Sequence, residues 1–179
     1  MEDALKTISI DTFDLIIARP TPHEAPYIID FLNEVAEETD FLTFAKGEFP
    51  FSVVEEQEII TECLEANRSL MLIGKINDLI ISQLFLDRSK KKRLSHIGDI
   101  SITVSKKYWG KSIGKHMMQA AIEWAKLNNI TKLQLQVLSD NERALKLYNK
   151  LGFVIEGKIS RALKIHNVYF DDYLMGLLL

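Results

Sequence analysis

Cysteine is almost absent from this sequence. The one thiol, Cys63, cannot close an internal disulfide and belongs to no cluster of metal ligands. That usage suits a reducing compartment, so a cytoplasmic location and no bound metal are the expectations. Proline and glycine are scarce as well, at 4 and 8 residues, and no repeat or low-complexity tract marks a linker. The chain therefore reads as a single domain over residues 1–179. No apolar run approaches the ~20 residues that cross a bilayer, which leaves no membrane partner to expect. The segment through Ile10 mixes Glu2, Asp3 and Lys6 with apolar residues and lacks a signal-peptide core. A basic surplus is missing too, and a formal charge of −3 argues against a dedicated nucleic-acid binder.

What remains is an ordinary globular composition, 47% apolar and 26% charged, at a length sufficient for a sizeable core. Residues 13–19 form a short apolar strand stopped by Pro20 and Pro22. Thr21-Pro22-His23-Glu24 is a capping box that opens a helix through about Glu37, with Pro26 pushing its start a turn later. Residues 39–51 are irregular and rich in phenylalanine. Ser52-Val53-Val54-Glu55 is a second capping box, and its helix carries Ile59, Ile60, Cys63 and Leu64 on one stripe. Two apolar runs, 70–73 and 79–86, flank Lys75-Ile76-Asn77-Asp78 as a hairpin, and 97–104 follows as a strand. The rhythm then changes to a helix over 111–128, a strand over 133–137, and a helix over 142–151 that stops at Gly152. Residues 153–159 and 169–178 close the chain as a strand pair. This order predicts a mixed, mostly antiparallel α/β sheet with one parallel crossover.

Between the 97–104 strand and the helix runs Trp109-Gly110-Lys111-Ser112-Ile113-Gly114-Lys115. A glycine-bearing strand-to-helix turn leaves backbone N–H groups unpaired at the positive end of a helix dipole, which suits a phosphate or pyrophosphate. A plain tight connection is the alternative reading of those glycines. The Walker loop fails in both registers: Gly114-Lys115 is followed by His116, and the other register puts Ser105 where the first glycine is required. A nucleotide-binding protein is the weaker reading for that reason.

Three features stand in one order: Ile100-Ser101-Ile102-Thr103-Val104, the turn from Tyr108 to Gly114, and Asn141…Ala144…Tyr148…Leu151-Gly152-Phe153. Together they resemble the GCN5-related N-acetyltransferase (GNAT) superfamily, closely over about 97–179 and by element order before that. The look is nearest to bacterial ribosomal-protein N-terminal and small-amine acetyltransferases. The resemblance implies a GNAT-type fold with helices on both faces of the sheet. It also implies acetyl-CoA as co-substrate and an acceptor that is a small-molecule amine or a protein N-terminus. A homodimer is compatible with it. The backbone of Ile102, Thr103 and Val104 would pair with the pantetheine arm, and the amides from Trp109 and Gly110 through Lys111, Ser112, Ile113, Gly114 and Lys115 would hold the pyrophosphate. Trp109 takes the place of the family's Arg or Gln. Ser112 replaces its first glycine, which an ordinary helical φ would allow. Asn141, with Ala144 beside it, matches the side-chain contact to pantetheine, and Tyr148 matches the tyrosine beside the thioester sulfur. The same fold used as a non-catalytic acetyl-CoA sensor is the first alternative.

Direct acetyl transfer needs no protein nucleophile, only a neutral amine, a polarised carbonyl and a stabilised thiolate. Cys63 reads as core. Tyr148 is the candidate acid, a phenol near pKa ~10 facing a thiolate near ~8.5. Asp99 is the candidate base through water, because Asp99, Ser101 and Thr103 share the polar side of their strand while Ile100, Ile102 and Val104 share the other. The Phe-rich loop lies where the family covers its acceptor, and its rings serve either as an acceptor wall or as core.

Overall fold

The computed structural model describes residues 4–10, 13–66 and 68–179; Met1, Glu2 and Asp3 of the N-terminal segment read above lie outside them. The chain runs β1 (Ala4–Ile10), β2 (Phe13–Ala18), α1 (Ala25–Glu38), α2 (Val53–Glu65), β3 (Leu70–Ile76), β4 (Leu79–Arg88) and β5 (Ile97–Val104). It continues through α3 (Ile113–Leu127), β6 (Lys132–Leu138), α4 (Glu142–Lys150), β7 (Val154–Ile165) and β8 (Val168–Leu178). Both capping boxes form. Thr21 caps a short 3-10 turn, Pro22–Glu24, and α1 proper starts one turn later, at Ala25. Ser52 opens α2 by accepting from the Glu55 N–H at 3.3 Å while the Glu55 carboxylate accepts from the Ser52 N–H at 2.7 Å. The strand β1 is the one element missed in the sequence, where polar Lys6, Thr7 and Ser9 obscure the alternation of an exposed edge strand. The closing strands also run longer than expected, joined by a turn at His166 and Asn167.

All eight strands form one sheet in the order β1-β2-β3-β4-β5-β6-β8-β7. Every neighbouring pair is antiparallel except β5 and β6. Alternation along the central strands builds a core on each face. Leu70 and Leu72 pack with Ile100, Ile113, Met117 and Tyr148 under α3 and α4. Met71 and Ile73 pack with Ile28, Phe31, Ile60 and Cys63 under α1 and α2.

The parallel pair is short. β5 and β6 match only at Ile97↔Lys132, Gly98↔Leu133 and Asp99↔Gln134. Beyond that point β5 stays paired to β4 as far as Val104↔Ser82, and β6 to β8 as far as Leu138↔Asp172. The sheet therefore opens between them, and the β6-facing edge of residues 100–104 has no ladder partner. Among the described residues no helix is long and apolar enough to cross a membrane.

Candidate active site

The split in the sheet leads into a cleft of about 840 Å³ that reaches both faces. On the α3 and α4 face its wall is the β5 edge, the turn after it and the buried side of α4. The α1 end helps to fix this turn: Glu38 accepts from the Lys106 N–H at 2.7 Å and from the Ser105 hydroxyl at 3.3 Å. Trp109 fixes it again, its indole N–H donating to the Val104 carbonyl at 2.8 Å. Phe41 lies 6.4 Å from one side of that ring, and the Arg143 guanidinium lies 5.0 Å from its centre. Trp109 is thus a structural seat for the turn, and Arg143 from α4 brings a cation to the position.

Gly110 has φ +80°, a conformation natural to glycine. Ser112 departs from expectation. It sits in the left-handed region at φ 62°, not in a helical conformation, and its side chain makes no cap bond to α3. A left-handed backbone there explains why a glycine is the easier residue, and a serine in it costs about 1 kcal/mol. In return, the first-turn N–H groups of α3 are left uncapped; His116 is the first to bond back, to the Ser112 carbonyl at 3.1 Å. Gly114 also serves the packing of two helices. A Cβ there would lie 3.1 Å from Leu147 Cδ2, so the glycine lets α4 pack on α3.

Asn141 caps α4, its Oδ1 accepting from the Ala144 N–H at 3.1 Å, which leaves its amide N–H groups as donors. Two turns on, Tyr148 is buried against Phe153 at 5.8 Å between ring centres. Burial pushes its phenol up to about 12. The Phe153 N–H closes the end of α4 on the Tyr148 carbonyl at 3.0 Å, which holds that residue in place.

Ile102, Thr103, Val104, Trp109, Gly110 and Ser112 line this one cleft, as do Ile113, Gly114, Lys115, Asn141, Ala144 and Tyr148. Two expected residues do not. The Lys111 ammonium lies 5.3 Å from the Phe13 ring centre, on the outer side of the turn. Asp99 sits at the paired end of β5, exposed, accepting from Gln134 Nε2 at 2.7 Å, because the strands separate only beyond it.

On the α1 and α2 face the cleft meets residues that the sequence did not single out. Glu56 is 2% exposed on α2, and burial raises its carboxyl to about 7. The signal was present: the buried stripe Ile60 and Cys63, extended back one turn, lands on Glu56. Asp172 of β8 is buried too, with Oδ1 unbonded, and its pKa is raised by burial and then by Asp171. Asp87 is different, held by Arg68 at 3.0 Å and by the Ser69 hydroxyl at 2.7 Å. Cys63 is core, and burial, then Asp87, lifts its thiol to about 11. The Phe-rich loop divides between its two readings: Phe44 and Phe49 pack on the core, while Phe41 stands exposed against Trp109.

Comparison with known proteins gives this geometry a context. The sequence model of the acetyltransferase (GNAT) family matches residues 32–153. The crystal structure of an acetyltransferase of the GNAT family from Streptococcus pneumoniae superimposes with a TM-score of 0.89 at 34% identity, covering 92% of this chain and 99% of that one. The L-amino acid N-acetyltransferase AaaT of Escherichia coli K12 is 30% identical over 59% of this chain and 65% of its own length. The spermidine N(1)-acetyltransferase of the same organism is 32% identical over 40% of this chain and 39% of its own length. The chain thus spans under two thirds of either curated relative.

Proposed function

The chain belongs to the acetyltransferase (GNAT) family, and from that premise we propose that it moves an acetyl group from acetyl-CoA to the nitrogen of an amine. One observation carries the reading: a strand edge without a ladder partner leads through the turn at 105–112 to an uncapped helix N-terminus, and both line the cleft that holds Tyr148. An amide-bearing arm fits the first, as an added strand would, and a pyrophosphate fits the second. Ile102, Thr103 and Val104 would offer the strand edge, with the Val104 carbonyl already held by the Trp109 indole, and Ser112, Ile113, Gly114 and Lys115 the converging amides. The Asn141 amide would add a donor beside Ala144, and Arg143 would supply the charge that Trp109 does not.

Acetyl-CoA supplies an acyl group already activated as a thioester. The amine nitrogen bonds the acyl carbon as the carbon–sulfur bond breaks; one proton leaves the nitrogen and one is taken up at sulfur. Tyr148 keeps its proton across the physiological range, so it would act as a hydrogen-bond donor to the developing thiolate. Asp99, outside the cleft lining, would reach a departing proton only through water.

The test is release of the CoA thiol from acetyl-CoA across a panel of primary amines. The expected result is release that depends on the amine and exceeds hydrolysis. Binding of acetyl-CoA with no amine-dependent release would instead assign the fold to sensing.

A further inference from the structure

The acceptor half of the cleft holds two buried carboxyl groups, Glu56 and Asp172, that have no ion-pair partner among the described residues. The Glu56 carboxyl makes no hydrogen bond or ion pair with another described residue, although only 2% of the residue is exposed. Asp172 lines the same cleft, 7% exposed, with its Oδ1 buried and unbonded. A buried carboxylate without a partner is costly, and a cation bound beside it removes the cost. Asp87 does not compete for that cation, because Arg68 and Ser69 already satisfy it.

Arg68 is the one cation lining this half among the described residues, and it is engaged. Besides Asp87 it donates to the Arg88 carbonyl at 2.8 Å and approaches Glu62 at 3.5 Å. The other basic residues of the cleft belong to α3 and α4, on the opposite face. A ligand carboxylate would therefore meet two carboxylates and no available cation, which is a strong basis for rejection. Between the charges the wall is apolar, with Met71, Phe85, Phe44 and Phe49, and that suits a methylene chain.

We propose, resting on the acetyl-transfer reading above, that the acceptor is an amine with a second ammonium group and no carboxylate, of the diamine and polyamine class, read by Glu56 and Asp172. One ammonium lies against a carboxyl group of this half while the other amine is directed through the split in the sheet.

A matched series tests this: α,ω-diaminoalkanes, n-alkylamines and ω-amino acids, each at four and eight carbons. Binding is measured by calorimetry without acetyl-CoA, and kcat/KM with it. The diamine should bind at least ~10-fold more tightly than the alkylamine of its length, with the amino acid weakest. Glu56→Gln and Asp172→Asn, both of which keep side-chain shape, should each cut diamine affinity by roughly tenfold, narrow the gap between diamine and alkylamine, and act mainly on KM. Thermal melting confirms that each variant is folded. Equal affinities across the series, tightest binding by the amino acid, or full diamine preference in both variants would overturn the proposal. If acetyl-CoA itself fails to bind, the acetyl-transfer reading fails; if it binds and the diamine preference is absent, only this inference does.

Discussion

With its pKa pushed up to about 12 by burial, the Tyr148 phenol is too weak an acid to hand a proton outright to a thiolate near ~8.5. In the proposed reaction its contribution would be a hydrogen bond that strengthens as charge develops on sulfur. Tyr148→Phe keeps the ring packed on Phe153 and removes that bond alone. We expect kcat to fall by roughly ten- to a thousandfold with the Kd for acetyl-CoA nearly unchanged. Full kcat retained while chemistry limits turnover would reduce the phenol to packing. Glu56 offers a test that needs no substrate. Between the ordinary 4.5 and about 7 the folded chain holds a proton on Glu56 that the unfolded chain has lost, so its contribution to stability declines as pH rises through that window. The loss is complete above it, at most about 3 kcal/mol. Glu56→Gln should therefore gain stability relative to the parent by several degrees in Tm on going from pH 5 to pH 8. A Tm difference that is the same at both values would mean that Glu56 is ionised and solvated in the fold. Tyr148 and Asn141 are legible in the sequence because their spacing to Gly152 and Phe153 is fixed within one short helix. Glu56 and Asp172 are not, since a carboxylate in a helix's first turn reads as solvated, and the register that buries Asp172 opposite Leu138 is set by a distant strand.

Among the elements, capping chemistry transfers directly from sequence to structure, because a capping box is satisfied within four residues. Both boxes form where Thr21-Glu24 and Ser52-Glu55 place them. Edge strands transfer poorly: β1 has one neighbour and little apolar burial, so its pattern is weak. The left-handed Ser112 is hidden for another reason, since only the geometry of the turn forces that φ. The loop between α1 and α2 contains rings with different jobs, and substitution separates them. Phe44→Ala should cost about 2 kcal/mol of stability, less than the full value for a buried ring because Phe44 is half-buried. Phe41→Ala should leave Tm within about 2 °C, as expected at an exposed site, and raise acceptor KM severalfold. Equal stability losses at both positions would place Phe41 in the core as well.

At the scale of the whole molecule, the two helical layers would serve different halves of the proposed reaction. The face under α3 and α4 presents amides and cations, which suit a phosphorylated donor, and the face under α1 and α2 presents unpaired carboxylates, which suit a cationic acceptor. They meet where β5 and β6 part after Asp99 and Gln134, so a short parallel ladder is what makes a single cleft of them. That the donor-side turn takes a pyrophosphate on a pantetheine arm, and not a nucleoside triphosphate, is the claim on which the rest depends. The measurement that reaches it most directly is the melting temperature of the purified chain with acetyl-CoA and, separately, with ATP at equal concentration. At a hundredfold excess over Kd, linkage adds ~2.7 kcal/mol, which for a domain of this size is a rise of about 5–10 °C. Acetyl-CoA should give that rise and ATP a much smaller one; a larger shift with ATP would contradict pyrophosphate binding on a pantetheine arm at this turn.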